Sequence, residues 1–184
     1  KIQLPVGGVE NGRLITGYYA PRSHTIVPSE GCPLHDPALD PIVDWLRREL
    51  AQRDFTGLRH LFLRKGCGGV QVCLIMTEIH PGEKELAQTL RKQFPIVISV
   101  WRCEHSGQGN VIWGDRFRLL DGQENLEDEM LGLHFEIAAP AFWQVNHDAA
   151  ALALTLLREY AAPLPGDRIL DLYCGTGVIG MTLA

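Results

Sequence analysis

The stretch from Arg168 to Gly180 constrains the fold more than any other. Ile169, Leu170 and an acid, Asp171, are followed by Gly175, Gly177 and Gly180. An apolar run that ends in an acid and breaks into closely spaced glycines predicts a buried parallel strand turning sharply into a helix. Glycines there let the backbone approach a ligand with no Cβ in the way, and the N–H groups of the following helix supply donors. A doubly wound domain that opens this way needs further strands and helices to cover both faces of its first strand. The sequence stops at Ala184. It is therefore expected to be a piece of a longer protein, with this strand short of its sheet partners.

Two cofactor classes compete for the turn, because Gly175-x-Gly177-x-x-Gly180 also satisfies the dinucleotide fingerprint. The glycines alone leave both open. The pattern Asp171-x-x-x-Gly175-x-Gly177, with Cys174 just before the turn, favours S-adenosylmethionine, since a dinucleotide loop has little use for an acid near its pyrophosphate. The test for a nicotinamide dinucleotide, an acid about twenty residues further on that binds the ribose, falls beyond Ala184.

Composition bounds the rest. With 46% hydrophobic and 21% charged residues and a mean hydropathy of −0.02, the 184 residues suit one to one and a half soluble domains. No signal peptide, membrane span, internal repeat or low-complexity tract is legible. The net charge of −5 argues against a general polyanion-binding surface, so any nucleic-acid contact must rest on local patches or on parts outside the chain. The five cysteines contain no C-x-x-C pair, which predicts reduced thiols and a cytoplasmic protein.

In chain order, residues 2–9 and 14–27 read as two β-segments joined at Asn11-Gly12, a dipeptide suited to a tight hairpin. Arg22, Ser23 and His24 give the second segment a polar centre, either a solvated strand face or a contact to phosphate or another domain. Residues 29–37 are rich in turn formers and carry Cys32 on a loop. A helix over 37–53 follows, with Leu39, Ile42, Val43, Leu46 and Leu50 on one face. Strands over 58–63 and 70–79, a helix over 82–94 and a strand over 96–102 complete an α+β layer, with helices on one face of a largely antiparallel sheet. Arg47, Arg48, Arg53, Arg59, Arg64 and Lys65 gather along its middle, as solvated surface or as an RNA-facing patch. Cys103, Glu104 and His105 lack a partner pair at metal-ligand spacing and read as a loop. Strands over 110–120 and 131–138 flank an acidic stretch, 121–129, expected to be an exposed hairpin or linker. A helix over 147–160, capped by Asn146 and apolar nearly all round, is expected to be buried. Phe142, Trp143 and Gln144 read either as an aromatic staple with a surface amide or as the lining of a pocket.

The residues Leu131, Gly132, Leu133, Phe135 and Ile137, then Phe142-x-Gln144-Val145-Asn146, then the stretch from Leu170 to Gly177 resemble the RNA uracil-C5-methyltransferases in order and spacing. Gly17, Tyr18, Tyr19, Ser23, His24, Ile26 and Val27, the Cys32-Pro33-Leu34 run, and Asn110, Val111 and Gly114 extend the likeness over almost the whole chain. The resemblance implies a central α+β domain (residues 1–138) followed by the first helix and strand of a Rossmann-like S-adenosylmethionine-dependent methyltransferase domain (residues 139–184). It implies that Gln144, Tyr173, Asp171, Gly175 and Gly177 bind S-adenosylmethionine, and that Phe142 and Asn146 shape the pocket of the target base. In many members a cysteine in the position of Cys32 joins three upstream cysteines around a 4Fe-4S cluster; this chain alone is not expected to hold one. The nucleophilic cysteine and general base of the family lie later than Ala184. Such a thiolate adds to C6 of uracil so that C5 becomes nucleophilic enough to take a methyl group. Cys174, at the strand-to-loop bend, is expected to be packed instead.

The expected partner is RNA, ribosomal RNA ahead of transfer RNA, with no membrane and a monomeric parent. The chain by itself is expected to be inactive. A methyltransferase acting on a small molecule or protein is the rival enzyme reading, and a non-catalytic RNA- or protein-interaction module is the rival from another class.

Overall fold

The computed structural model describes residues 1–105 and 111–184. Strands β1 (Ile2–Glu10) and β2 (Arg13–Tyr19) pair antiparallel around Asn11 and Gly12, which sit at φ 51° and 74° as a tight hairpin turn requires. The predicted second segment is in fact broken. After Tyr19 the chain turns, and a short β3 (Ile26–Pro28) pairs back on β2. Ser23 closes that turn, its hydroxyl donating to the Ala20 carbonyl at 3.2 Å and accepting from the Thr25 amide at 3.1 Å. Arg22, Ser23 and His24 thus lie on an exposed turn rather than at a strand centre.

Asp36 caps a single 3-10 turn, Pro37–Leu39, by accepting from the Ala38 amide at 2.9 Å, and α1 (Asp40–Gln52) continues from it. Leu39, Ile42, Val43, Leu46 and Leu50 are all buried, as their helical spacing predicts. Each such burial contributes about 2 kcal/mol. Strands β4 (Leu58–Gly66) and β5 (Gly69–Met76) form an antiparallel pair. Helix α2 (Glu83–Gln93) then crosses over, so that β6 (Val97–Glu104) lies parallel to β5. With β7 (Arg116–Gly122) the sheet has seven strands in the order β3-β2-β1-β4-β5-β6-β7, every pair antiparallel except β5 with β6. Ile2, Leu4, Leu61, Leu63, Val72 and Leu74 meet the apolar faces of α1 and α2 in the main core.

The alternation along β4 sends His60, Phe62 and Arg64 to the opposite face. There Phe62 joins Cys73, Ile75 and Cys103 in a separate cluster covered by Trp113 and Phe117. Cys103 and Glu104 therefore belong to β6 rather than to a loop. The strand predicted from 110 starts at Arg116; Asn110 itself lies outside the described residues.

The acidic stretch 121–129 is not an exposed linker. It ends β7 and supplies β8 (Asn125–Met130), which pairs antiparallel with β9 (Leu133–Ala138) in a two-stranded ribbon. Leu126, Asp128 and Met130 point inward while Glu127 and Glu129 face solvent, so the negative charge occupies one face only. The ribbon core also takes Trp143 and Leu154, the latter from α3 (His147–Ala161), and Val178 from α4 (Val178–Leu183) packs on it. Among the described residues no helix is long and apolar enough to cross a membrane.

Candidate functional site

The backbone that leaves β9 is held by a buried cation. Arg64 is 3% exposed, and its Nη2 donates to the carbonyls of Ala141 at 2.7 Å and Ala139 at 3.5 Å, its Nη1 to that of Ala138 at 3.5 Å. The guanidinium also lies over the Phe62 ring at 5.2 Å. Burial lowers the pKa of Arg64 to about 10, with Cys73 and Asp128 acting the other way, so the group stays charged at neutral pH. Beyond it, the Trp143 indole N–H donates to Asp128 Oδ2 at 2.7 Å. Asp128 Oδ1 accepts from the amides of Cys67 at 3.2 Å and Glu129 at 3.0 Å. One carboxylate thus ties together the β4–β5 turn, the ribbon and the connector.

Trp143 is anchored inward and its neighbours are left outward. Phe142 is 65% exposed, with Lys1 Nζ over its ring at 5.1 Å, and Gln144 and Val145 are exposed as well. Gln144 makes no side-chain hydrogen bond among the described residues. Asn146 caps α3 as expected, its Oδ1 accepting from the Ala149 amide at 3.1 Å. That oxygen is accordingly engaged in the fold.

The glycine turn departs from expectation in its strand and at Cys174. Residues 168–173 form no strand and pair with none, and Leu170 and Leu172 are exposed. A strand exists only through hydrogen bonds to a neighbour, and among the described residues none runs beside this segment. The turn itself is formed. Asp171 Oδ2 accepts from the Gly180 amide at 3.0 Å, and Gly177 N–H donates to the Cys174 carbonyl at 2.8 Å. Gly175 and Gly177 take φ of 57° and 76°, with no atom within 4 Å of where a Cβ would stand. Tyr173 is fully exposed at φ 62°, and Cys174 is exposed rather than packed. A left-handed glycine pair opening onto unfilled space and running into a helix fits the cofactor class inferred from the spacing. The fit extends to the connector, because Val178, next to Gly177, packs on the cluster that holds Trp143.

Helix α3 also differs from expectation. Only Leu154 is buried, while Leu152 is 62% exposed. The helix covers the ribbon with one face, and the described residues place nothing on the other. A cavity of about 830 Å³ beneath its end is lined by Arg158, Leu164, Asp167, Ile169, Asp171 and Gly180. It takes in neither Gln144, Tyr173, Gly175 nor Gly177, so it lies behind the turn rather than at its mouth.

Cys32 is half-buried and lies near Tyr18, whose pKa is raised by burial and by the Cys32 side chain. Among the described residues no three histidine, cysteine or acidic side chains converge on a metal-sized point. One thiol does not fit a four-thiolate cluster, and no cluster chemistry is assigned to this chain. The basic residues of the first half do not form one patch either. Arg47 is buried and donates to Thr16 Oγ1 at 2.8 Å, Arg53 pairs with Glu49 and Glu85, Lys65 pairs with Asp36 at 2.5 Å, and Arg64 is the clamp described above.

Comparison with known proteins places these features. No family model matches the chain. The whole chain is 35% identical to a protein of Thermosynechococcus vestitus named an uncharacterized RNA methyltransferase, and 34% identical to proteins so named in Enterococcus faecalis and Lactococcus lactis. It spans 43% of the length of each. The similarity to these proteins runs over the full length of the chain. The fold is also that of part of the Pyrococcus abyssi tRNA (uracil-54, C5)-methyltransferase, solved in complex with S-adenosyl-L-homocysteine, with a TM-score of 0.73 at 20% identity. That likeness takes in 100% of this chain and 45% of the archaeal one. The anchoring roles of Arg64 and Asp128 are not among the sequence-based expectations. The detectable signal was the two-residue alternation of Leu126, Asp128 and Met130.

Proposed function

We propose that the chain is the central domain and the opening of the methyltransferase domain of an enzyme that transfers a methyl group from S-adenosylmethionine to C5 of a uridine in RNA. The observation that carries this reading is the likeness to RNA methyltransferases along the entire chain. The boundary between the two parts is put near Ala138, the residue at which the Arg64 clamp begins. S-adenosylmethionine supplies an electrophilic methyl group on sulfur. Gly175 and Gly177 offer it backbone that a side chain would obstruct, Asp171 fixes the turn through Gly180, and Gln144 and Tyr173 present exposed polar groups toward it. Phe142 supplies an exposed ring against which a flipped base can stack, and Asn146 sets the start of α3 beside it. This reading takes the parent as a monomer in a reducing cytoplasm, which five free cysteines suit.

The test is mass spectrometry of nucleosides from ribosomal and transfer RNA of a strain lacking the gene. 5-Methyluridine falls at one or a few defined sites, in ribosomal RNA first, and returns with the intact gene. Unchanged 5-methyluridine in both fractions, with loss of a methylated protein or metabolite, assigns the enzyme to another substrate class.

A further inference from the structure

On the sheet face turned away from α1 and α2, by the end of β2 and the start of β4, lies a cavity of about 460 Å³. Its floor is His60, its walls Tyr19, His24 and Arg59, and the exposed turn carrying Arg22 forms its rim. Three features set it apart. His60 is 3% exposed, yet neither ring nitrogen has a hydrogen-bond partner, and an orphaned buried imidazole calls for one. Burial, with Arg59 and His105 nearby, lowers the pKa of His60 to about 4, so at neutral pH the ring offers one donor and one acceptor. The lining has two arginines and no acid, in a chain with 22 acidic residues against 17 basic ones.

The rings are arranged for a flat ligand. Tyr19 meets His24 edge-on at 5.7 Å and His60 edge-on at 6.4 Å, and remains 43% exposed. Arg59 keeps a fixed position because its Nη1 donates to His105 Nδ1 at 2.8 Å, while His105 Nε2 donates to the Val111 carbonyl at 2.7 Å. An aromatic face, a neutral donor–acceptor pair and the Arg22 guanidinium on the exposed rim match a base with its phosphate. The pocket also aligns with the connector. His60 and Arg64 are four residues apart on one face of β4, about 13 Å along the strand. Between them Phe62 is covered by Trp113 and Phe117, so RNA reaching from the cavity to the Arg64 end of the strand, where Phe142 follows Ala141, would pass over that cover.

We propose that this cavity binds one unpaired nucleotide of the substrate RNA, separate from the nucleotide that reacts, and so fixes the register in which the RNA reaches Phe142. The proposal rests on the methyltransferase reading. Its test uses the intact polypeptide and a fluorescein-labelled, mixed-sequence single-stranded RNA 12-mer, read by anisotropy at fixed salt. Tyr19→Ala weakens binding about fivefold or more, as loss of one stacked base does. Arg22→Glu weakens it several-fold and lowers its salt dependence. Arg48→Glu, the same charge change on the exposed side of α1, has little effect. His60→Phe, which removes an unsatisfied polar group from the interior, raises thermal stability yet weakens RNA binding. With 4-thiouridine in the 12-mer, ultraviolet cross-links map to the peptide containing Tyr19 and His24.

Equal binding by wild type, Tyr19→Ala and Arg22→Glu overturns the pocket, as does an Arg48→Glu loss as large as that of Arg22→Glu. A His60→Phe protein that is more stable and binds RNA equally well shows His60 to be a core residue only. If the wild type methylates RNA while these variants bind normally, the pocket alone fails. If the wild type neither methylates nor binds RNA, the methyltransferase reading fails first and the pocket with it.

Discussion

The indole N–H of Trp143 donates to Asp128 Oδ2 at 2.7 Å, and both side chains are buried. A carboxylate in that setting is held by its donors, so removing one leaves part of its charge unanswered. Trp143→Phe keeps an aromatic ring and deletes the donor, and should lower stability by about 2 kcal/mol. Asp128→Asn should cost a similar amount. The two changes share one bond, so the double variant should lose less than the sum, with a coupling of about 1 kcal/mol in denaturant titrations. Strict additivity would show that the pair contributes nothing as a pair.

The ribbon approaches the β4–β5 turn so closely that a Cβ on Gly66 would stand 2.6 Å from the Glu127 carbonyl oxygen. Gly66→Ala must push the ribbon away, and should destabilise the chain by about 1–3 kcal/mol. Gly8→Ala has open space around it and should stay within about 0.5 kcal/mol of wild type. Comparable losses from the two substitutions in thermal melts would rule out the contact as the cause.

The contrast between these parts explains what was legible in the sequence. The α1 face was readable because Leu39, Ile42, Val43, Leu46 and Leu50 bury through local periodicity alone. The Asn11-Gly12 turn was readable because its φ angles are a local demand. Strand β8 was not, since its acids suggested solvent while its alternate positions belonged to a core whose other half lies in Trp143 and Leu154. Helix α3 failed in the opposite sense. An apolar sequence states what a helix can bury, not what is beside it to bury it. At the candidate site the glycine turn was legible and the Arg64 clamp was not, because a bond from a side chain to a carbonyl 77 residues away leaves no spacing to read.

His60 gives the fold an acid-sensitive term. Its pKa falls from about 6.5 in the unfolded chain to about 4 in the fold, where Arg59, His105 and the rings of Tyr19 and His24 surround it. At pH 7 both states are neutral there and the shift contributes nothing. As the pH drops below 6.5 the unfolded state takes up the proton first, so stability declines until about pH 4 and no further on this account. The full loss is at most about 3 kcal/mol. Denaturation midpoints at pH 7 and pH 4.5 should differ less in His60→Phe than in wild type. An unchanged difference would place the acid sensitivity elsewhere.

In the intact enzyme, Gln144→Ala should raise the KM for S-adenosylmethionine about fivefold, as loss of one hydrogen bond of about 1 kcal/mol does, with kcat little changed. Gly177→Val should do more harm, since φ 76° is closed to a β-branched residue and the side chain would fill the approach to the turn. Methylation assays over a range of cofactor concentrations separate the two. A Gly177→Val enzyme with normal cofactor affinity would remove the turn from the cofactor site.

Arg64 grips carbonyl oxygens, and every residue has one. The exposed Ala138 could therefore exchange its side chain for another without loosening the grip, the buried Ala139 is limited by packing and not by the bond, and no other side chain could replace the guanidinium that reaches all three carbonyls. The bond thus permits variation at the exposed start of the segment that leads to Phe142, and forbids it at a single position on a distant strand. The tolerance of this stretch to substitution would say nothing about how tightly its path is held.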